Sequence, residues 1–325
     1  MINGKYSYAS LSFGEKPRVG QVLIFLLIIS QFSSLIASNK DSLNFFSPSP
    51  DYNKKRLTTV IVTESALYGI SITGLNVLWY KDYPRSSFHF FNDNREWLQM
   101  DKVGHTVTSY SIGRIGLNLM KWSGMEGRKA AWYGGLVGSV YQSSIEILDG
   151  FSSQWGFSWG DFVGNTFGSV LVVGQELLWR EQRISMKFSF HQTDFAPIRP
   201  DLLGRKLQES ILKDYNGQTY WLSFNISSFI KKENHFPKWM NLSFGYGANG
   251  LIGGNFNPPT DKNGNPYPIY DRTRQYYLAL DADLTRIKTR SKFLKAFFET
   301  FSFIKIPAPT IGFGKQGIKI NALYF

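Results

Sequence analysis

Residues 183–191 read RISMKFSFH, and the alternation inside that stretch decides the fold class. Ile184, Met186, Phe188 and Phe190 are apolar, whereas Ser185, Lys187 and Ser189 between them are small or charged. Successive strand side chains point to opposite sides, so a period of two places the apolar set on one face of a β-strand. Downstream the same alternation returns. QTYWLSFNISSFI (218–230) puts Tyr220, Leu222, Phe224 and Ile226 on one face, and MNLSFGYGANG (240–250) does so with Met240, Leu242, Phe244 and Tyr246. RQYYLALDADL (274–284) aligns Tyr276, Leu278 and Leu280, and the closing PTIGFGKQGIKINALYF (309–325) carries GKQG, which suits a hairpin turn. NFNPPTDKNGNPYP (255–268) reads as a long turn-rich loop and SKFLKAFFETF (291–301) as a short amphipathic helix.

Upstream of residue 184 the apolar residues recur at helical spacing in four segments, 57–80, 97–122, 126–148 and 159–183. Their charge-free runs, 65–80, 130–145 and 162–175, fall short of the roughly 18 residues that mark a spanning helix, so a buried helical core is expected. Gly134 with Gly138 and Gly164 with Gly168 recur at a spacing that lets two helix backbones approach closely. The expectation is therefore an α+β protein. An N-terminal four-helix bundle of apolar, glycine-containing helices (57–183) precedes an antiparallel sheet of five or six strands (184–325), packed on the helices or on the membrane. A partial barrel is the other arrangement open to the sheet, because a closed spanning barrel needs about eight strands or more.

Residues 1–38 read as a signal peptide: Lys16 and Arg18 precede the apolar run VLIFLLIIS (22–30), followed by SLIAS (34–38). An uncleaved anchor is the alternative, since 19–39 carry no charge. Residues 39–56, NKDSLNFFSPSPDYNKKR, read as a linker. The chain is 43% hydrophobic and 16% aromatic with only 18% charged residues, a bias toward an exported envelope protein of the periplasm or outer membrane. It has no cysteine, which excludes disulfides, thiolate metal sites, thiol nucleophiles and a cysteine-linked lipid. The net charge of +12 is weighted late, with Arg286, Lys288, Arg290, Lys292, Lys295, Lys305, Lys315 and Lys319 opposed by Glu299 alone. Such a field favours an anionic membrane surface or lipid, with an envelope protein as a further partner; export argues against nucleic acid.

The charged residues within the apolar helices are paired by spacing. Asp101 with His105, Glu146 with Asp149, and Asp161 with Asn165 each lie one turn apart on one helix face. Ionisable groups in apolar helices are costly without partners, so the three faces are expected to meet. DKVGHTVTSY (101–110), SSIEILDG (143–150) and GFSWGDFVGNTFGS (156–169) together resemble the pattern of the YfiM-like predicted periplasmic proteins, domain of unknown function 2279. A looser similarity to VanZ-like membrane proteins lies in the first and third motifs. The resemblance covers about residues 57–180, supplies no reaction, and marks Asp101, Lys102, His105, Glu146, Asp149, Asp161, Asn165 and Gly168. Some relatives are labelled lipoproteins, from which this cysteine-free chain departs.

Two roles fit these residues. In the favoured one, Lys102, Asp161, Asn165 and Gly168 belong with the rest to a buried network that sets the register of the bundle, Lys102 or Arg114 neutralising the carboxylates. In the alternative, an envelope lipid or glycan hydrolase, His105 is the acid or base, Asp101 or Asp149 orients it, Glu146 is the second acid or base, and Ser109 lies one turn beyond His105. His105 with Asp101, Glu146, Asp149 and Asp161 would suit a hard or borderline cation, but with one histidine in the region and no known ligand spacing neither a metal nor another cofactor is expected. An open pocket at the cluster would favour chemistry; a closed, paired one would favour architecture.

Overall fold

The computed structural model describes residues 47–76, 80, 83–230 and 235–325. The expected signal peptide and the first part of the expected linker lie outside them. The first helix, α1, spans Lys54–Leu75 and is capped by Asn53, whose Oδ1 accepts from the Arg56 N–H at 3.1 Å. α1 thus starts within the stretch read as linker. The residues before it are pinned to the end of the next helix by Ser49 N–H to Trp122 O at 3.1 Å and Asn53 N–H to Ser123 O at 2.8 Å.

α2 spans Met100–Trp122 and runs through the middle of the helical half. Before it, Trp97, Leu98 and Gln99 all adopt left-handed φ values of 48°, 51° and 64°. That conformation costs about 1–2 kcal/mol per residue for side chains with a Cβ. It is held by the Trp97 N–H donating to Gly254 O at 2.8 Å and by the Tyr246 hydroxyl donating to Leu98 O. The third expected helix is two, α3 (Gly127–Gly135) and α4 (Val137–Gly150), meeting at Leu136. α5 (Trp159–Trp179) begins on the Ser158 cap. α3, α4 and α5 all pack on α2, and α1 lies along the outside of that group. The expected four-helix bundle is therefore an arrangement centred on α2.

Glycine makes it that tight. A Cβ on Gly138 would sit 2.0 Å from Ser109 O, one on Gly168 2.3 Å from Thr106 O, and one on Gly134 2.4 Å from Gly116 O, so the α2 backbone touches three neighbours.

Six strands follow: β1 (Ile184–Phe190), β2 (Gln218–Asn225), β3 (Met240–Asn249), β4 (Thr273–Ala282), β5 (Ala308–Gly314) and β6 (Gly317–Tyr324). They form one open antiparallel sheet in sequence order. Short helices α6 (Pro200–Leu203) and α7 (Leu207–Lys213) bridge β1 to β2, and α8 (Lys292–Thr300) lies between β4 and β5. GKQG makes the expected hairpin, with Gly314 paired to Gly317 and Gly317 at φ 94°.

Register places Met186, Leu222, Phe244, Leu278, Ile311 and Ile320 in one row across the sheet. At β1 and β2 this apolar face packs on the helices, where Met186, Phe188, Phe190 and Tyr220 join Val107, Tyr110, Leu117 and Val172. Toward β6 it faces outward, with Phe244 51% and Ile320 79% exposed. The opposite face is polar and buried: Ser185, Lys187, Ser189, Thr219, Ser223, Asn241, Ser243, Asp281 and Thr310. At its centre the Lys187 ammonium is 2.7 Å from Asp281 Oδ2, which also accepts from Ser223 at 2.6 Å, and Lys305 reaches in from the segment after α8. Lys305 Nζ sits 4.9 Å from the Trp221 ring centre, and burial lowers its pKa to about 8.

Candidate functional site

The cluster expected from the helix spacings forms between α2, α4 and α5. Asp101 occupies the first turn of α2 and His105 the next; Glu146 and Asp149 come from α4; Asp161 and Asn165 come from the first turns of α5. Ser158 fixes the start of α5 by accepting from the Asp161 N–H at 3.2 Å while its own N–H donates to Glu146 Oε2 at 3.2 Å. Gly164 and Gly168 let α5 lie directly against α2.

Lys102 is the cation of the cluster. Its Nζ lies 2.7 Å from Asp93 Oδ1, 2.9 Å from Asp161 Oδ1 and 3.3 Å from Asp101 Oδ2. Arg114, the other expected neutraliser, goes elsewhere: it donates to Ser185 at 3.3 Å and to Thr285 at 3.5 Å. The His105 ring has Nδ1 3.0 Å from Asn165 Oδ1 and 3.8 Å from Glu146 Oε1, with Nε2 3.9 Å from Asp101 Oδ1. Asp149 does not orient His105; its Oδ1 accepts from the Tyr80 hydroxyl at 2.7 Å. Ser109 donates to Asn165 O at 2.6 Å and lies 3.1 Å from Ser169 Oγ, so it braces α2 against α5. Burial, and then the neighbouring Asp101 charge, push the Asp161 carboxyl up to about 6, against the opposing pull of His105 and Lys102.

Four participants were not expected. Asp93 accepts from Ser158 Oγ at 2.6 Å as well as from Lys102. Tyr215, on the loop between α7 and β2, donates to Asp101 Oδ1 at 2.7 Å, and its hydroxyl pKa is held well above the usual range by burial and by Asp101. Gln142 approaches His105 Nδ1 at 3.3 Å, and Tyr80 holds Asp149. Gln142 lies one turn before Glu146 on α4, so its spacing was a usable signal; the other three come from outside the helices that carry the motifs.

The cluster is closed. His105 is 3% exposed, and Asp161, Asn165 and Glu146 are fully buried. An apolar cavity of about 660 Å³ opens elsewhere, between α1, α2, the α3–α4 junction and α8, lined by Leu67, Ile112, Trp132 and Val137 together with Glu64. None of the cluster carboxylates borders it. The histidines outside the cluster lie away from it: His89 is hydrogen-bonded to Ser86 and Ser87, and His191 sits against Tyr324.

With this geometry in place, the comparison with known families is direct. Residues 89–174 match the predicted periplasmic lipoprotein family, domain of unknown function 2279. The matched span holds Asp93, Asp101, Lys102, His105, Gln142, Glu146, Asp149, Asp161, Asn165 and Gly168, while α1, Tyr215 and the sheet fall outside it. The family description supports an exported envelope location. Its lipoprotein label finds no cysteine to act on in these 325 residues. No curated protein and no solved structure matches the chain.

Proposed function

We propose that this chain is an envelope protein that rests its apolar outer surface in a lipid bilayer, and that its polar cluster fastens the helices behind that surface. The observation that carries the reading is an inverted distribution of polarity. In the sheet, Phe244, Leu280, Ile311, Ile318 and Ile320 face outward while Lys187, Asp281 and a layer of Ser, Thr and Asn face inward. In the helical half, Trp132, Val140, Ile147, Val163, Phe167 and Leu178 are exposed around buried carboxylates. Water disfavours exposed apolar patches of this extent, whereas lipid accepts them. A sheet with an apolar outer and a polar inner face is the pattern of outer-membrane proteins, which makes that membrane the favoured one. No helix of the described residues is long and apolar enough to cross a membrane, so seating in the bilayer is the claim.

Burial of the cluster supports fastening over acid–base catalysis, since a substrate needs a path to His105. The deciding experiment is flotation of the purified full chain with phospholipid vesicles, combined with quenching of tryptophan fluorescence by brominated acyl chains. The chain is expected to float and to be quenched, with Trp132 and Trp159 as reporters, and Phe244→Glu/Ile320→Glu to weaken both signals. A chain that stays monomeric in detergent-free buffer and ignores the vesicles overturns the proposal.

A further inference from the structure

We infer that Asp101, His105 and Asp161 form a binding site for one divalent first-row metal ion such as Mn²⁺ or Zn²⁺. All three residues are buried, and one ligand atom from each lies within 4.8 Å of the other two. That is a span a single ion can draw together through bonds of about 2.0–2.2 Å.

The imidazole is the second observation. The Asn165 side-chain oxygen at 3.0 Å and Gln142 Nε2 at 3.3 Å both face Nδ1, so Nε2 is the ring nitrogen left to bind an ion. That nitrogen has no hydrogen-bond partner among the described residues, and the nearest ionic group is Asp101 Oδ1 at 3.9 Å. A buried ring nitrogen with no hydrogen-bond partner is costly, and a cation between it and the Asp101 carboxylate would satisfy both. Orientation of a ligating histidine through an oxygen on its other nitrogen is the usual arrangement at metal centres.

Charge points the same way. Asp93, Asp101 and Asp161 are all buried here and share the Lys102 ammonium. Its shortest contact is to Asp93, at 2.7 Å, so an ion on Asp101 and Asp161 leaves Lys102 with a partner. One imidazole and two carboxylates suit a borderline cation, with the remaining positions left to water. The ligands are also held in place: Tyr215 grips Asp101, Ser158 caps the turn that carries Asp161, and a Cβ on Gly164 would lie 2.8 Å from Lys102 O, so α5 lies directly against α2.

The test uses the full chain in detergent micelles, stripped with chelator and titrated with Mn²⁺. Metal content is read by mass spectrometry, and nitrogen ligation by electron spin echo modulation. One Mn²⁺ per chain with coupling to a directly bound ¹⁴N is expected. Asp161→Asn, which keeps the shape of the side chain, is expected to lower affinity tenfold or more, and His105→Gln to remove the nitrogen coupling, with circular dichroism confirming that each variant folds. No retained Mn²⁺ or Zn²⁺, or an ion bound without ¹⁴N coupling in the unaltered chain, overturns the site. The outcome is independent of vesicle binding, so this inference and the membrane reading fail separately.

Discussion

A single methyl group is enough to test the contact between α2 and α5. At Gly168 an added Cβ would meet Thr106 O at 2.3 Å and Tyr110 N at 2.7 Å, both backbone atoms in a helix that is itself packed on three others. Gly168→Ala must push the helices apart, and overpacking of this kind costs about 1–3 kcal/mol or more. Gly69, in the interior of α1, meets nothing within 4 Å, so Gly69→Ala is expected to stabilise by up to about 1 kcal/mol through helix propensity alone. Chemical denaturation of the two variants side by side separates packing from propensity, and similar midpoints would show that α5 is not seated on α2. Glu64 offers a second single-residue test. Burial against the apolar cavity raises its carboxyl to about 7 from an ordinary 4.5. The folded state therefore holds a proton there that the unfolded chain has lost. Its contribution is full below pH 4.5 and fades as pH rises to about 7. Glu64→Gln is expected to leave stability at pH 4 nearly unchanged and to raise it at pH 8 by at most about 3 kcal/mol, flattening the pH profile between the two.

At the scale of elements, the inward face of the sheet depends on Asp281. Its carboxylate lies 2.7 Å from Lys187 and 3.8 Å from Lys305, and all three side chains are buried. Asp281→Asn removes the carboxylate that two buried ammonium groups share, and loss of one partner from a buried pair costs about 3–5 kcal/mol. A loss below about 1 kcal/mol in thermal unfolding would mean that water fills this interior. The strands themselves were legible, because alternation such as Ile184, Met186, Phe188, Phe190 needs no tertiary information. Which face turns inward was not legible. A period of two sorts side chains onto two sides, and only the neighbours across the register reveal that Lys187 and Asp281 share the interior while Phe244 and Ile320 share the exterior. The cluster divides similarly: Asp101 with His105 and Asp161 with Asn165 are visible as one-turn spacings, whereas Asp93 and Tyr215 arrive from loops whose local pattern carries no trace of a distant helix. The break at Leu136 was hidden because both halves of that segment present glycine to α2, as a continuous helix would.

For the whole molecule, the late basic residues are not one surface. Lys305 is inside the sheet, Arg286 is bound to Glu181 at 2.9 Å and Asp283 at 3.1 Å, and Lys315 is paired with Asp271 at 2.7 Å. What the chain presents outward is α8, where exposed Phe293, Leu294 and Phe297 are interleaved with Lys292 and Lys295. On the proposed seating in a bilayer, a helix of that composition would lie in the head-group plane, its aromatic side in the acyl boundary and its lysines toward anionic phosphates. Each lysine near an anionic surface contributes about 1 kcal/mol, so Lys292→Gln/Lys295→Gln is expected to weaken binding to phosphatidylglycerol vesicles by roughly 30-fold. The difference should shrink at about 1 M salt, where the screening length falls to roughly 3 Å, and should be absent on neutral vesicles. Phe293→Ser/Phe297→Ser acts through burial of apolar surface and is expected to weaken binding to both kinds of vesicle at every salt concentration. Equal binding of the lysine variant and the unaltered chain to anionic vesicles would move the contact off α8, leaving the outward rows of the sheet and of α3–α5 as the surface that meets lipid.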